Sequence, residues 1–163
     1  MTKSDKSKHN ICIASIKRST FKPYDYKRTK FYETNSNFYT EYPNILLDLS
    51  DEELIISSTI IDADNFSVLT TRQLITNEKG ALSSGVINEA SDESYGDFKG
   101  YETDVVTFGH VQLKDGCHLK YFVEIGKASM IMIHGVRTLI RTQQMTNTQV
   151  ENVTRVWNRK NEK

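Results

Sequence analysis

The sequence predicts a small, mainly β domain, α+β by count of elements, in which antiparallel strands are closed by one C-terminal helix. Three observations carry this expectation. Between Cys117 and Met145 the apolar period changes: Leu119 to Ile125 reads as a strand, whereas Met132, Val136, Leu139 and Ile140 recur at helical spacing. Upstream, short β-branched runs are separated by turn residues. Asp115-Gly116, between two apolar runs, is a strong two-residue hairpin signal.

Taken along the chain, residues 1–10 are polar and expected to be disordered. Residues 11–42 hold eight of the sixteen aromatics (Phe21, Tyr24, Tyr26, Phe31, Tyr32, Phe38, Tyr39 and Tyr42), and such rings must be covered by something. Segment 1–44 is therefore an N-terminal extension, basic and aromatic-rich, that packs on the domain or on another subunit. Ile45 to Leu49 reads as a short apolar element. Ser50 with Glu53 matches a capping box, but the β-branched run Leu54 to Ile61 reads as a strand. Asp62 to Asn65 is a turn, Phe66 to Thr71 a strand, and Asn77 to Gly80 another turn. Ser91 to Gly100 is an acidic surface loop. Residues 104–125 form a hairpin, and a type I′ turn at Asp115-Gly116 pairs residues whose numbers sum to 231. That register places Val106, Phe108, Leu119, Tyr121, Val123 and Ile125 on the core face. Residues 128–133 read either as a further strand or as the start of the helix, since Gly135 costs about 1 kcal/mol inside a helix relative to Ala. The domain proper is then 45–145, and 146–163 is a polar tail with Val150, Val153 and Trp157 at helical spacing.

At 163 residues the chain buries enough surface to fold without disulfides. Cys12 and Cys117 are far apart in sequence, a usage that fits a reducing compartment. No 18-residue apolar run is present, and Ile11 to Ile16 is too short for a secretory leader. The expected location is cytoplasmic. Net charge is zero but unevenly laid out: +6 over residues 1–40, −11 over 41–104 and +5 over 105–163. A basic arm lying on an acidic face, or separate surfaces for separate partners, would account for it.

No constellation points to catalysis, a metal or a cofactor. In the sum-231 register His110 faces the core and His118 the opposite side, so they do not chelate together. No HxxxH, CxxC or HExxH spacing occurs. A Cys117/His110 pair is allowed by the same register but has no third group to orient it. Gly126-Lys127-Ala128-Ser129 imitates the end of a P-loop, yet Tyr121 stands in place of the first glycine. Residues 17–32 interleave six basic side chains with five aromatics, a composition that suits single-stranded nucleic acid, although an arm packing its rings inward explains it more simply. On a helix through His134, the residues His134, Thr138 and Arg141 line one face with Arg137 beside them.

Leu49-Ser50-Asp51-Glu52-Glu53-Leu54-Ile55 and Phe66-Ser67-Val68-Leu69-Thr70-Thr71-Arg72-Gln73-Leu74-Ile75, followed by a closing helix near 128–145, resemble phrases of the bacterial pleckstrin-homology-like (PH-like) domains. The resemblance covers about residues 45–145. It implies a barrel of two antiparallel sheets plugged by the C-terminal helix, without catalysis and often self-assembling. Lipid-headgroup binding is not expected, because the first strand-strand loop is Asp62-Ala63-Asp64-Asn65. The resulting expectation is a protein-protein interaction or scaffold domain, acting as a homo-oligomer, with partner contacts at Tyr24, Tyr26, Phe31, Tyr32, Asp92, Glu93, Asp97, Arg137 and Arg141. The alternative is an immunity- or inhibitor-type protein whose acidic region blocks a basic partner such as a nuclease.

Overall fold

A computed structural model describes residues 3–87, 90–96, 98–99 and 105–162, excluding the side chains of Asp92 and Glu93. The element order is α1 (Asp5–Ser19), β1 (Thr29–Phe31), α2 (Asn35–Glu41), β2 (Ile55–Asp62), β3 (Asn65–Thr70), β4 (Gln73–Glu78), β5 (Ala81–Val86), β6 (Ser91–Ser94), β7 (Val106–Gln112), β8 (His118–Glu124), α3 (Ser129–Arg141) and α4 (Asn147–Asn161). Strands β1 to β5 form one antiparallel sheet in chain order, and β6-β7-β8 form a second. Among the described residues the two sheets do not close into a barrel; the architecture is mixed α+β.

The five-stranded sheet is covered on both faces, because its central strands alternate apolar side chains between two cores. One core joins Ile56, Leu69 and Leu74 to α1, α3, Val111, Leu119, Tyr121 and Val123. The other joins Ile55, Ile60, Phe66, Val68 and Ile75 to Tyr32, Phe38 and Ile45. The polar start of the chain is helical rather than disordered. Ser4 caps α1 by accepting from the Ser7 amide at 3.1 Å. Asp5 accepts from Thr71 Oγ1 at 2.5 Å and from Arg72 at 3.1 and 2.7 Å, which pins the helix start to the β3–β4 turn. Residues 11–16 of α1 are all buried, since the helix packs on α3, on α4 and on the sheet. A helix covered on several sides carries no clean polar stripe, so its period is hard to read in sequence.

Other expectations shift as well. The aromatic segment is built into the domain: β1 pairs with β2, and Phe38 is fully buried, with the rings of Tyr32, Tyr39 and Tyr42 5.4–5.5 Å away. Residues 66–75 span the end of β3 and the start of β4, with a turn at Thr71-Arg72. Residues 128–133 are helical. Gly135 is accommodated because the backbone passes close to its neighbours; a Cβ there would sit 3.0 Å from Leu69 Cδ2. The polar tail is a 15-residue helix with a capping box at Thr146 and Gln149, and Val150 is buried.

The β7–β8 register corrects the sum-231 expectation by one residue. Val106 pairs with Glu124 and Gln112 with His118, so paired numbers sum to 230. The Gly116 amide bonds Leu113 O at 2.9 Å and the Leu113 amide bonds Cys117 O at 2.7 Å. The loop is thus the three residues 114–116, closed by Gly116 at φ 87°, rather than a two-residue turn. One extra loop residue exchanges the faces of β7. Val111 and Gly109 face the core, while Val106, Phe108 and His110 face away from it.

Side chains of the large sheet lock the small one in place. Thr76 Oγ1 donates to Lys120 O at 2.8 Å, Ser67 Oγ accepts from the Phe122 amide at 2.8 Å, and Ser67 and Thr76 bond each other at 2.8 Å. The fully buried Tyr121 ring lies directly over Gly109, where a Cβ would come within 2.3 Å of it.

Gly109→Ala is expected to cost about 2–3 kcal/mol by overpacking, read as a lowered urea midpoint; a change below about 0.5 kcal/mol would refute the close approach. Burial pushes the Asp5 carboxyl up, but its bonds to Arg72 and Thr71 pull it further down, leaving it below its ordinary 3.8. A carboxyl depressed in the folded state stabilises above its unfolded value and ceases to do so as pH falls through the folded one. The stability gap between wild type and Asp5→Asn should therefore be open at pH 6 and close below pH ~4 in parallel urea titrations.

Candidate functional site

A strand at the border of a sheet presents unpaired N–H and C=O groups, and the borders of this fold differ in how these groups are protected. The outer strand β1 is only three residues long, and β6 has four with an irregularity between Asp92 and Ser94. The free edge of β8 is occupied by Ser67 and Thr76, which bond the outward Lys120 and Phe122 backbone groups. β5 differs. It has six residues, Ala81-Leu82-Ser83-Ser84-Gly85-Val86, without a charge or a proline, and no ladder partner on its outer side among the described residues. Leu82 is 66% and Val86 64% exposed.

The chemistry of this edge follows from the turn that makes it. Lys79 (φ 54°) and Gly80 (φ 82°) form a type I′ two-residue turn, with Glu78 opposite Ala81. The pair flanking such a turn is hydrogen-bonded, so Ala81, Ser83 and Gly85 spend their amides and carbonyls on β4. The Ile87 amide, of the same parity, bonds Arg72 O at 3.4 Å. The backbone groups of Leu82, Ser84 and Val86 consequently point outward, and their three side chains share one sheet face. On the opposite face Leu113 packs onto Gly85.

The residues expected to contact partners are placed differently. Tyr32 is buried, its hydroxyl 2.6 Å from Ser58 Oγ, and has no surface to offer a partner. Tyr24, Tyr26 and Phe31 are half-buried, with Tyr24 edge-on to Phe31 at 5.0 Å. Asp97 and the side chains of Asp92 and Glu93 lie outside the described residues. Arg137 is half-buried and Arg141 exposed on α3, but Thr138 does not share their face: it is buried and donates to Ser15 Oγ on α1 at 2.7 Å. Burial lowers the His134 pKa, and Arg137, Arg141 and Arg18 lower it further, so this side of α3 is cationic. Arg18 itself stacks 5.3 Å over Trp157.

The one-residue register change also revises the histidine geometry. His110 and His118 have the same parity and share the outer face of the small sheet, with His110 Nδ1 3.2 Å from Ser94 Oγ. Cys117 sits in the hairpin loop and does not face His110. No group of three or more His, Cys, Asp or Glu able to hold a metal occurs among the described residues. A cleft of about 600 Å³ lies between Lys27-Arg28, residues 41–45 and residues 60–63. Its floor is Ile45 and Ile60, and it contains no serine, cysteine or histidine. No described helix is long and apolar enough to cross a membrane. No protein-family model, curated protein or solved structure matches the chain.

The two thiols should behave oppositely. Cys12 is buried and Cys117 exposed, and a hydrogen bond to Asp115 together with its charge raises the Cys117 pKa. A maleimide should label one thiol natively and the second only in denaturant. Asp115→Asn should speed native labelling several-fold at pH 7, because the thiolate is the reacting species.

Proposed function

We propose that this chain is a non-catalytic protein-interaction module of PH-like type, working in a reducing compartment such as the cytoplasm, and that β5 receives an extended segment of its partner. The observation that carries this reading is the uncharged, uncovered β5 edge with three outward backbone donor–acceptor sets. Strand addition to such an edge draws affinity from the main chain and specificity from alternate side chains. The four-stranded meander β2–β5, the three-stranded meander β6–β8 and the following α3 support the PH-like assignment, with α1, β1 and α2 as additions to it. An exposed free thiol at Cys117 is in keeping with reducing conditions.

Displayed random decapeptides selected on the full chain, then counter-selected on Ser84→Pro, test the reading. The Ser84 amide points away from β4, so proline there removes an outward donor without removing a ladder bond. Peptides of alternating apolar pattern should be enriched, bind Ser84→Pro at least tenfold more weakly, and shift the Leu82, Ser84 and Val86 amide resonances. Should circular dichroism show Ser84→Pro unfolded, Leu82→Lys serves instead. Peptides that bind wild type and variant equally would overturn the β5 assignment. A purely basic, edge-independent set would favour the inhibitor reading.

A further inference from the structure

We infer that the strand received by β5 is β5 of a second copy, paired antiparallel about a twofold axis through Ser84; this rests on the edge reading above and specifies its partner. The outward residues are Leu82, Ser84 and Val86, evenly spaced about Ser84. An antiparallel twofold through Ser84 sets Ser84 against its own copy and Leu82 against Val86 in both directions. All three pairs are of the hydrogen-bonded type, because in each the amide and carbonyl already point outward. The two chains thus exchange six backbone bonds.

The side chains agree with this register. Leu82 and Val86, the two exposed apolar residues of the strand, meet across the axis on one face, where a leucine against a β-branched residue is a favourable cross-strand pair. A strand without charges sets no like charges opposite each other when it meets itself. The product is a ten-stranded sheet through both subunits. An interface of one strand pair and four apolar side chains is small, so association belongs to the weak, reversible class.

Cysteine cross-linking on the Cys117→Ser background reads the axis directly. Ser84→Cys places a thiol beside its own copy and should form a disulfide-linked dimer under mild oxidation. Leu82→Cys alone, about 13 Å from its copy at four residues' offset, should not, while an equimolar mixture of Leu82→Cys and Val86→Cys should form the heterologous cross-link. Light scattering on the wild type should show mass rising above 18.7 kDa with concentration, and Leu82→Lys should abolish the rise. Cross-linking of Leu82→Cys as readily as Ser84→Cys would overturn the register. A mass fixed at the monomer up to millimolar concentration would overturn self-pairing. Edge-dependent peptide binding, if retained in that case, would leave the strand-receiving reading standing with a different partner.

Discussion

The fold depends on the hydrogen-bonded contact between Ser67, Thr76 and the backbone of β8. These two small side chains on β3 and β4 let a second sheet approach the first, and they supply the bonds that β8 lacks on its open edge. Larger apolar residues at either position would leave the Lys120 carbonyl or the Phe122 amide buried without a partner, a cost of about 1–3 kcal/mol each. Because β8 is held there, Tyr121 can lie over Gly109, and Leu119 and Val123 can meet α3 in one continuous core.

The chain's beginning completes what the sheets leave open. Helix α1 fills the space between α3, α4 and the five-stranded sheet, running parallel to α3 with Cys12 against Gly135 and Ser15 against Thr138. Polar anchors hold it: Asp5 at the β3–β4 turn, and His9, whose Nε2 lies 2.8 Å from the Tyr32 carbonyl. Burial keeps that imidazole neutral by lowering its pKa, which suits a ring donating to a carbonyl in a dry setting. The buried Glu53 carboxylate performs the same service nearby, gathering Ser50, Thr70 and Gln73 into the approach to β2. On the other sheet face, Tyr32 and Phe38 join Phe66 in the second core, with Tyr39 and Tyr42 packed against it.

The treatment of strand edges connects this architecture to function. Length limits β1 and β6, and side chains from the opposite sheet occupy β8. Only β5 among these borders combines length, neutrality and outward-facing backbone groups. Proteins generally blunt such edges with charge, proline or bulges, since an open strand is a template for another chain. The β5 edge omits every one of these devices and carries Leu82 and Val86 on its exposed face, which is the basis of the strand-receiving role proposed for it.

By itself the sequence determined the local elements whose chemistry is contained within a few residues. The strand from Leu54 to Ile61, the turn at Lys79-Gly80, the hairpin around Gly116 and the helical spacing of Val136 and Leu139 were all legible, because β-branching, positive-φ glycine and apolar period act over short range. Tertiary structure decided the rest. Helix α1 was hidden because burial on several sides erases the polar stripe that marks a surface helix. The hairpin slipped one residue because Asp115-Gly116 fits a two-residue and a three-residue loop equally well, and only core packing of Val111 and Leu119 selects between them. The aromatic segment joins the domain because β1 pairs with β2, which buries Tyr32 and Phe38 and leaves Tyr24, Tyr26 and Phe31 half-buried. Neutral Ala81 to Val86 carries no local signal of its exposure; that it lies at an edge follows from the strand order, which arises from long-range pairing that no short window of residues contains.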